Sequence, residues 1–259
     1  MSNNQQNFAI NMSAKLIASL IVSTILCLNG CATTPKTAEN EKDPYENFNR
    51  SVYKFNDKVD GYVAKPISDG YRYITPQFIQ TGVYNFYNNL KNVNVVINDA
   101  LQAKFSQGAQ DTGRLALNTT LGLAGIFDVA KNIGWEQNEE DFDQTLATWG
   151  VPSGSYLVIP IFGPTTFRGV PGAAFDTAAN PATYVGGAVN VVSLINTRAN
   201  ADGALKFIDE AALDPYIFTR ESFLQWRNNL ATDGKYQASY GPDLDIETED
   251  NMPKKDTNK

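Results

Sequence analysis

Glu139, Glu140, Asp141 and Asp143 crowd four carboxylates into one short stretch, the kind of density from which a general acid and a general base can be drawn. Side chains of one sign at this spacing repel, and no cation neighbours them in the sequence, so a solvated loop or helix start is the expected setting. Ser153 and Ser155 flank Gly154, but Gly150-Val151-Pro152-Ser153-Gly154 is not a nucleophile elbow. The chain contains no His, which is the usual activator of such a hydroxyl and the commonest metal ligand. Gly186-Gly187 lacks the Lys and the spacing of a phosphate loop, and Asn118-Thr119-Thr120 fits a glycosylation triplet only formally. Carboxylate pairs and Ser-Lys chemistry survive this elimination without a visible activating partner. The chain therefore reads as a non-enzyme with neither catalytic residues, metal nor cofactor.

One residue has a definite chemistry. Cys31 follows Gly30 at the end of the uncharged apolar run Leu16 to Leu28, itself preceded by Lys15. A basic start, an apolar stretch too short to span a bilayer comfortably and a small residue at the cut make an export signal, residues 1–30. Its start codon is either Met1 or Met12. A Cys directly after the small residue is similar to the bacterial lipobox, which implies cleavage before Cys31, diacylglyceryl transfer to its sulfur and acylation of its amine. At ~0.8 kcal/mol per buried methylene, several acyl chains anchor a protein essentially permanently. Cys27 leaves with the signal and Cys31 is consumed by lipid, so the mature chain has no disulfide and no thiol nucleophile. Ala32 stands where, in similar lipoproteins, an Asp would favour retention at the inner membrane; it points to the outer membrane.

The elements that follow are mainly helical. Residues 31–42 are small, polar and charged, an acylated flexible tether. Asp43-Pro44-Tyr45-Glu46 reads as a helix start, and Phe48, Val52, Phe55, Val59 and Tyr62 recur at helical spacing until Pro66, which should interrupt them. Thr75-Pro76 opens another helix, carried by Ile79, Val83, Phe86, Leu90, Val93, Ile97 and Leu101, with a break near Lys91-Asn92. Asp214-Pro215-Tyr216 repeats the cap-then-Pro signal before Ile217, Arg220, Leu224, Arg227 and Leu230. Sustained two-residue alternation is almost absent. A single helical domain over 43–240 and a disordered acidic tail over 241–259 are expected.

Between Gln144 and Thr197 the only charged residues are Arg168 and Asp176. At the chain-wide charged fraction of 19%, about ten would be expected there. A helix in a domain this small keeps one side in water, so a plain core should retain charged faces. An ordinary spanning helix is ruled out by Pro152, Pro160, Pro164, Pro171 and Pro181. Short helices and turns lying in the interfacial and acyl region fit better, with Trp149, Tyr156, Phe162, Phe167 and Tyr184 at the boundary. A net charge of −7 excludes nucleic acid as an expected partner.

The residues also carry a resemblance. Asp43-Pro44 with Tyr45-Glu46-Asn47-Phe48-Asn49-Arg50 resembles the opening motif of the MlaA (VacJ) lipoprotein family. Leu117 to Gly122 with Gly125 to Ala130 resembles its central motif. Gly154-Ser155-Tyr156, Pro160 to Gly163 and Arg168 resemble its Gly-x-Tyr…Pro…Gly…Arg segment, and Asp214-Pro215-Tyr216 with Arg220 and Glu221 its late helix start. The resemblance implies an α-helical, ring-like outer-membrane lipoprotein, embedded mainly in the inner leaflet and facing the periplasm. Such a protein takes mislocalised phospholipids from the outer leaflet through an amphipathic channel and hands them to a soluble periplasmic carrier. Trimeric porins are the implied membrane partners. Two roles suit Phe48, Asn49 and Arg50: shaping the channel, or packing a helix onto a core. Arg168 has two as well, a lipid phosphate contact or a buried partner such as Asp176. Tyr156 and the 160–163 turn are placed at the channel by family likeness alone. A non-catalytic envelope scaffold binding porins or other envelope proteins is the alternative, and a Ser or carboxylate hydrolase a weaker one.

Overall fold

The computed structural model describes residues 43–235, so the expected signal, Cys31, its tether and the acidic tail lie outside the described residues. Every element below lies within the unit Glu46–Lys259. Helices dominate, as the periodicity predicts.

Helix α1 spans Glu46–Val59, a π-helical turn follows over Asp60–Ala64, and α2 spans Lys65–Ile74. Pro66 does not end the helix, contrary to expectation. It sits in the first turn of α2, where no amide donor is required, and the widened π turn precedes it. Thr75 is extended, as a residue before Pro must be, and Pro76 caps α3, Gln77–Leu101. The break expected near Lys91-Asn92 is absent: α3 runs unbroken for 25 residues, about 37 Å. It packs along α4, Phe105–Thr120.

A turn-rich stretch over 121–128 leads to the one-turn α5, Val129–Asn132. No Cβ would fit at Gly122, where it would lie 2.2 Å from the Phe127 carbonyl oxygen and 2.5 Å from that of Asn118. Helix α6, Phe142–Thr148, is N-capped by Asp141, whose side chain accepts from the Gln144 amide. The next element is the one strand pair in this mainly helical set of described residues. Tyr156–Ile159 (β1) and Gly163–Thr166 (β2) form an antiparallel hairpin, with Tyr156 opposite Thr166 and Val158 opposite Pro164. Helix α7, Gly169–Ala179, a 3-10 turn at Pro181–Tyr184 and α8, Gly187–Ala211, complete the charge-poor region. Helix α9, Pro215–Ala231, starts as the sequence indicates: Asp214 accepts from the Tyr216 and Ile217 amides.

The distribution of polarity is inverted. The apolar core is small, Val52, Tyr156, Val158 and Tyr216, with Tyr53, Ile217, Phe223 and Leu224 around it. Asn49, Asn92, Asn98, Asp99, Asp111 and Arg114 are buried. Large apolar side chains face outward, including Tyr73 at 92%, Phe162 at 86% and Leu194 at 71% exposure. An outward-facing apolar side chain is hydrated at a cost in water and carries no such cost against hydrocarbon. Among the described residues no helix is long and apolar enough to cross a membrane.

Candidate functional site

The motif residues from both ends of the chain meet at the hairpin. Asn49 on α1 donates from Nδ2 to the Tyr156 carbonyl at 3.1 Å and accepts at Oδ1 from the Val158 amide at 2.9 Å. Two turns along, Asn56 repeats the pattern, donating to the Ile159 carbonyl at 3.0 Å and accepting from the Ile161 amide at 2.7 Å. Seven helical residues advance about 10.5 Å and three strand residues about 10 Å, so one helix face stays in register with one strand edge. The two asparagines act as side-chain rungs where a third strand would otherwise pair.

Arg50 grips Asp214 at 2.8 Å and Glu46 at 2.7 Å, and its guanidinium lies 4.4 Å from the centre of the Tyr216 ring. The Arg50 contact, opposed by partial burial and aided by the two capped amides, holds the Asp214 carboxyl below the usual range. Tyr216 and Tyr156 meet edge to face, ring centres 6.3 Å apart. Asn49, Arg50, Tyr156, Asp214, Pro215 and Tyr216 thus form one clasp joining α1, β1 and α9. Phe48 faces away from it, 49% exposed, because the Asn49–Asn56 face turns to the hairpin.

Arg168 stands apart from that clasp. Its partner is not Asp176, as the sequence suggested, but Asp143, at 2.6 Å from Nε, with Nη1 donating to the Val151 carbonyl at 2.9 Å. Arg227 of α9 binds the other oxygen of Asp143 and pairs with Asp141 at 2.6 Å. Asp176 instead accepts from Asn94 at 2.8 Å and the Phe142 amide at 3.0 Å. Of the acidic run at 139–143, expected to be solvated and unpaired, Glu139 is exposed, but Asp141 and Asp143 are paired in a largely buried node. Glu140 also lies inside it, 2.8 Å from Lys104. Burial opposes ionisation of Asp141, but Arg227 and the Gln144 amide outweigh it and hold the carboxyl low. The sequence hides this because the cations arrive from the start of α4, from the turn between β2 and α7 and from α9, each more than 20 residues away.

A third arrangement was not foreseen. Asn85, Asn88, Asn89 and Asn92 occur at i, i+3, i+4 and i+7, a polar stripe on one face of α3. Asn89 Nδ2 donates to Thr119 at 2.9 Å and Asn92 Nδ2 to the Asp111 carbonyl at 2.8 Å. From α4, Arg114 forks onto both oxygens of Asp128 at 3.1 and 3.0 Å and also donates to the Trp135 carbonyl. Asn118 donates to Asp128 at 2.9 Å and accepts from the Ala130 amide at 3.0 Å. These side chains enclose a polar notch of about 10 Å³, room for one water-sized group. Beside it, sharing Asn85, opens an apolar groove of about 890 Å³ along Phe78, Ile79, Val83, Phe86, Ile126 and Val192. That volume lies in the range of ligand sites.

Further along α3, Asp99 is fully buried, with Gln107 donating to it at 2.8 Å. Burial, with the neighbouring Asp111 carboxylate adding repulsion, pushes Asp99 up to about 7.

A hairpin held on asparagine rungs by an N-terminal helix, and locked to a late Asp-Pro-Tyr helix start, is the framework of this region. The MlaA lipoprotein family matches residues 41–230. The chain belongs to that family. The MlaA relatives from Shigella flexneri and from Escherichia coli (strain K12) bear the name intermembrane phospholipid transport system lipoprotein. Each is 32% identical over 242 residues, 89% of this chain and 94% of the relative. An uncharacterised protein of Rickettsia bellii is 34% identical over 206 residues, 77% of this chain and 78% of its own. A solved structure described as the structural basis for maintenance of bacterial outer membrane lipid asymmetry superimposes with a TM-score of 0.65 at 31% identity. It covers 73% of this chain and 98% of the solved one. The MlaA motifs quoted from the sequence all fall inside the matched region: the first, third and fourth build framework contacts around the hairpin, and the central one supplies Asn118 and Asp128 to the notch and Ile126 to the groove.

Proposed function

We propose that this chain is an outer-membrane lipoprotein that removes mislocalised phospholipids from the outer leaflet and passes them to a soluble periplasmic carrier, so maintaining lipid asymmetry. Acyl chains on Cys31 hold it, its charge-poor segment rests in the inner leaflet, and a trimeric porin is its membrane partner. The observation that carries the reading is the adjacency of the apolar groove and the asparagine notch, which meet at Asn85. A phospholipid needs such a pair: apolar walls for its tails and polar side chains beside them for its headgroup to face. Outward-facing apolar side chains support embedding, and the names of the MlaA relatives support the cargo. Moving a lipid breaks no covalent bond, so no activated nucleophile is required of the chain.

Gly82 gives the test. Its backbone lines the groove, and a Cβ there would lie 3.1 Å from the Ile126 side chain. Gly82→Leu would place a branched side chain across the groove without straining the helix. Cells lacking the gene should accumulate surface-exposed phospholipid; the native chain should reverse this and Gly82→Leu at equal abundance should not. Full complementation by Gly82→Leu would remove the groove from the path and favour a scaffold. The embedding has its own check: with Cys31→Ser and a cleavable export signal, the protein should still require detergent for extraction, and a freely soluble monomer would contradict it.

A further inference from the structure

Arg114 Nε, Asn89 Oδ1 and Asn92 Oδ1 are buried and have no hydrogen-bond partner among the described residues. The three residues are only 3% to 6% exposed, and all of them line the notch. The other lining residues each have a partner. Asn118 bonds Asp128 and the Ala130 amide, Asn88 donates to Gln137, and Asn85 donates to the Ile126 carbonyl at 3.1 Å. Charge is balanced as well, Arg114 against Asp128, so a neutral occupant suits the notch better than an ion. As oriented, the three atoms require two donated protons and one lone pair within about 10 Å³. For Asn92 the orientation is dictated by chemistry: Nδ2 meets the Asp111 carbonyl, which can only accept, so Oδ1 is the atom left over. Asn89 bonds the Thr119 hydroxyl, which can give or take a proton, so turning that amide over would present a donor instead. Water has two protons and two lone pairs and serves either arrangement. An ammonium ion cannot accept from Nε, and a halide cannot donate to Asn92.

We propose that the notch is the binding site of one structural water, which accepts from Arg114 Nε and donates to Asn89 and Asn92. Three polar partners and space for a single water are the conditions under which a buried water is held. Each bond it makes removes the desolvation cost of an orphaned group. The water ties α3 to α4 beside the fork of Arg114 on Asp128, the residue that closes the 121–128 turn and caps α5. The same turn supplies Ile126 and Phe127 to the groove, so the water belongs to the set of bonds that fixes that wall. The inference goes beyond the transport reading and stands whether or not lipid uses the groove.

The experiment is water Overhauser spectroscopy on the full chain in detergent with nitrogen-15-labelled arginine. A water held in the notch gives the Arg114 Nε proton a cross-peak to the water resonance. Its sign is opposite in the laboratory-frame and rotating-frame experiments, the mark of a long-lived neighbour. Asn92→Leu should reduce that peak to a small fraction of its native intensity while the other arginine signals keep their positions. No peak in the native chain, or one with equal signs in the two experiments, overturns the proposal. So does a peak that survives Asn92→Leu undiminished. Where Asn92→Leu does not fold, a crystal structure of the native chain takes its place: density for a water within hydrogen-bond distance of all three atoms supports the site, and a dry notch overturns it.

Discussion

Replacing Asn49 by Leu isolates the energy of the rungs that join α1 to the hairpin. The side chain is fully buried and serves two strand groups, the Tyr156 carbonyl at 3.1 Å and the Val158 amide at 2.9 Å. Leu is close in shape but has neither donor nor acceptor. Each orphaned backbone group then costs about 1–3 kcal/mol of desolvation, so the pair predicts a loss of roughly 2–5 kcal/mol after some return from apolar burial. A domain of this size is typically stable by only about 5–15 kcal/mol. Asn56→Leu removes the same two kinds of bond, but Ile161 is largely solvated, so water can replace the lost partner and about 1 kcal/mol is expected. Urea unfolding of the full chain in detergent, followed by far-ultraviolet circular dichroism, gives these differences from midpoints at constant slope. Equal losses for Asn49→Leu and Asn56→Leu, or a loss below about 1 kcal/mol for the former, would refute the claim that the rungs replace a missing strand.

Gly122→Ala should be among the most damaging single changes, at roughly 2 kcal/mol or more, because its Cβ would meet two backbone oxygens that cannot step aside; thermal unfolding would report it. Asp143→Ala leaves Arg168 and Arg227 facing each other in a buried site and should cost about 3–5 kcal/mol, whereas Arg168→Ala still leaves Asp143 paired with Arg227 and should cost less; the order of the two denaturation midpoints decides it. Asp99 titrates at about 7 when folded and near the ordinary carboxylate value when unfolded, so its contribution to stability is full below about pH 4 and is lost as pH rises through 7. Asp99→Asn should therefore stabilise the protein at pH 8 and make little difference near pH 4. A gain that does not shrink on acidification would show that the carboxyl is not the cause.

Local signals were legible wherever a single element sufficed. Asp214 followed by Pro215 starts a helix because its carboxylate satisfies free amides and Pro has none to satisfy, and both conditions are visible in adjacent residues. The shortage of charge from Gln144 to Thr197 likewise became outward-facing Phe162, Tyr184 and Leu194. What escaped was long-range pairing. Asp143 looks like a solvated acid until Arg227 arrives from 84 residues away. The hairpin escaped because β1 is only four residues long and its outer edge is bonded by side chains of a helix, which leaves no matching third strand to detect. The asparagine stripe at 85, 88, 89 and 92 had the helical period in plain view. A helix's buried face is ordinarily signalled by its apolar residues, and in this stretch of α3 the side that turns inward is the polar one.

The register between α1 and β1 fixes how this part of the chain can vary in length. One residue added or removed between Asn49 and Asn56 swings the second amide by about 100° around the helix axis and slides it by about 1.5 Å, away from the Ile161 amide it serves. A single deletion there therefore unzips the contact as surely as changing either amide. Point substitutions at the outward positions between them leave it whole. The tolerated path for change along α1 is by exchange of side chains and not by gain or loss of residues.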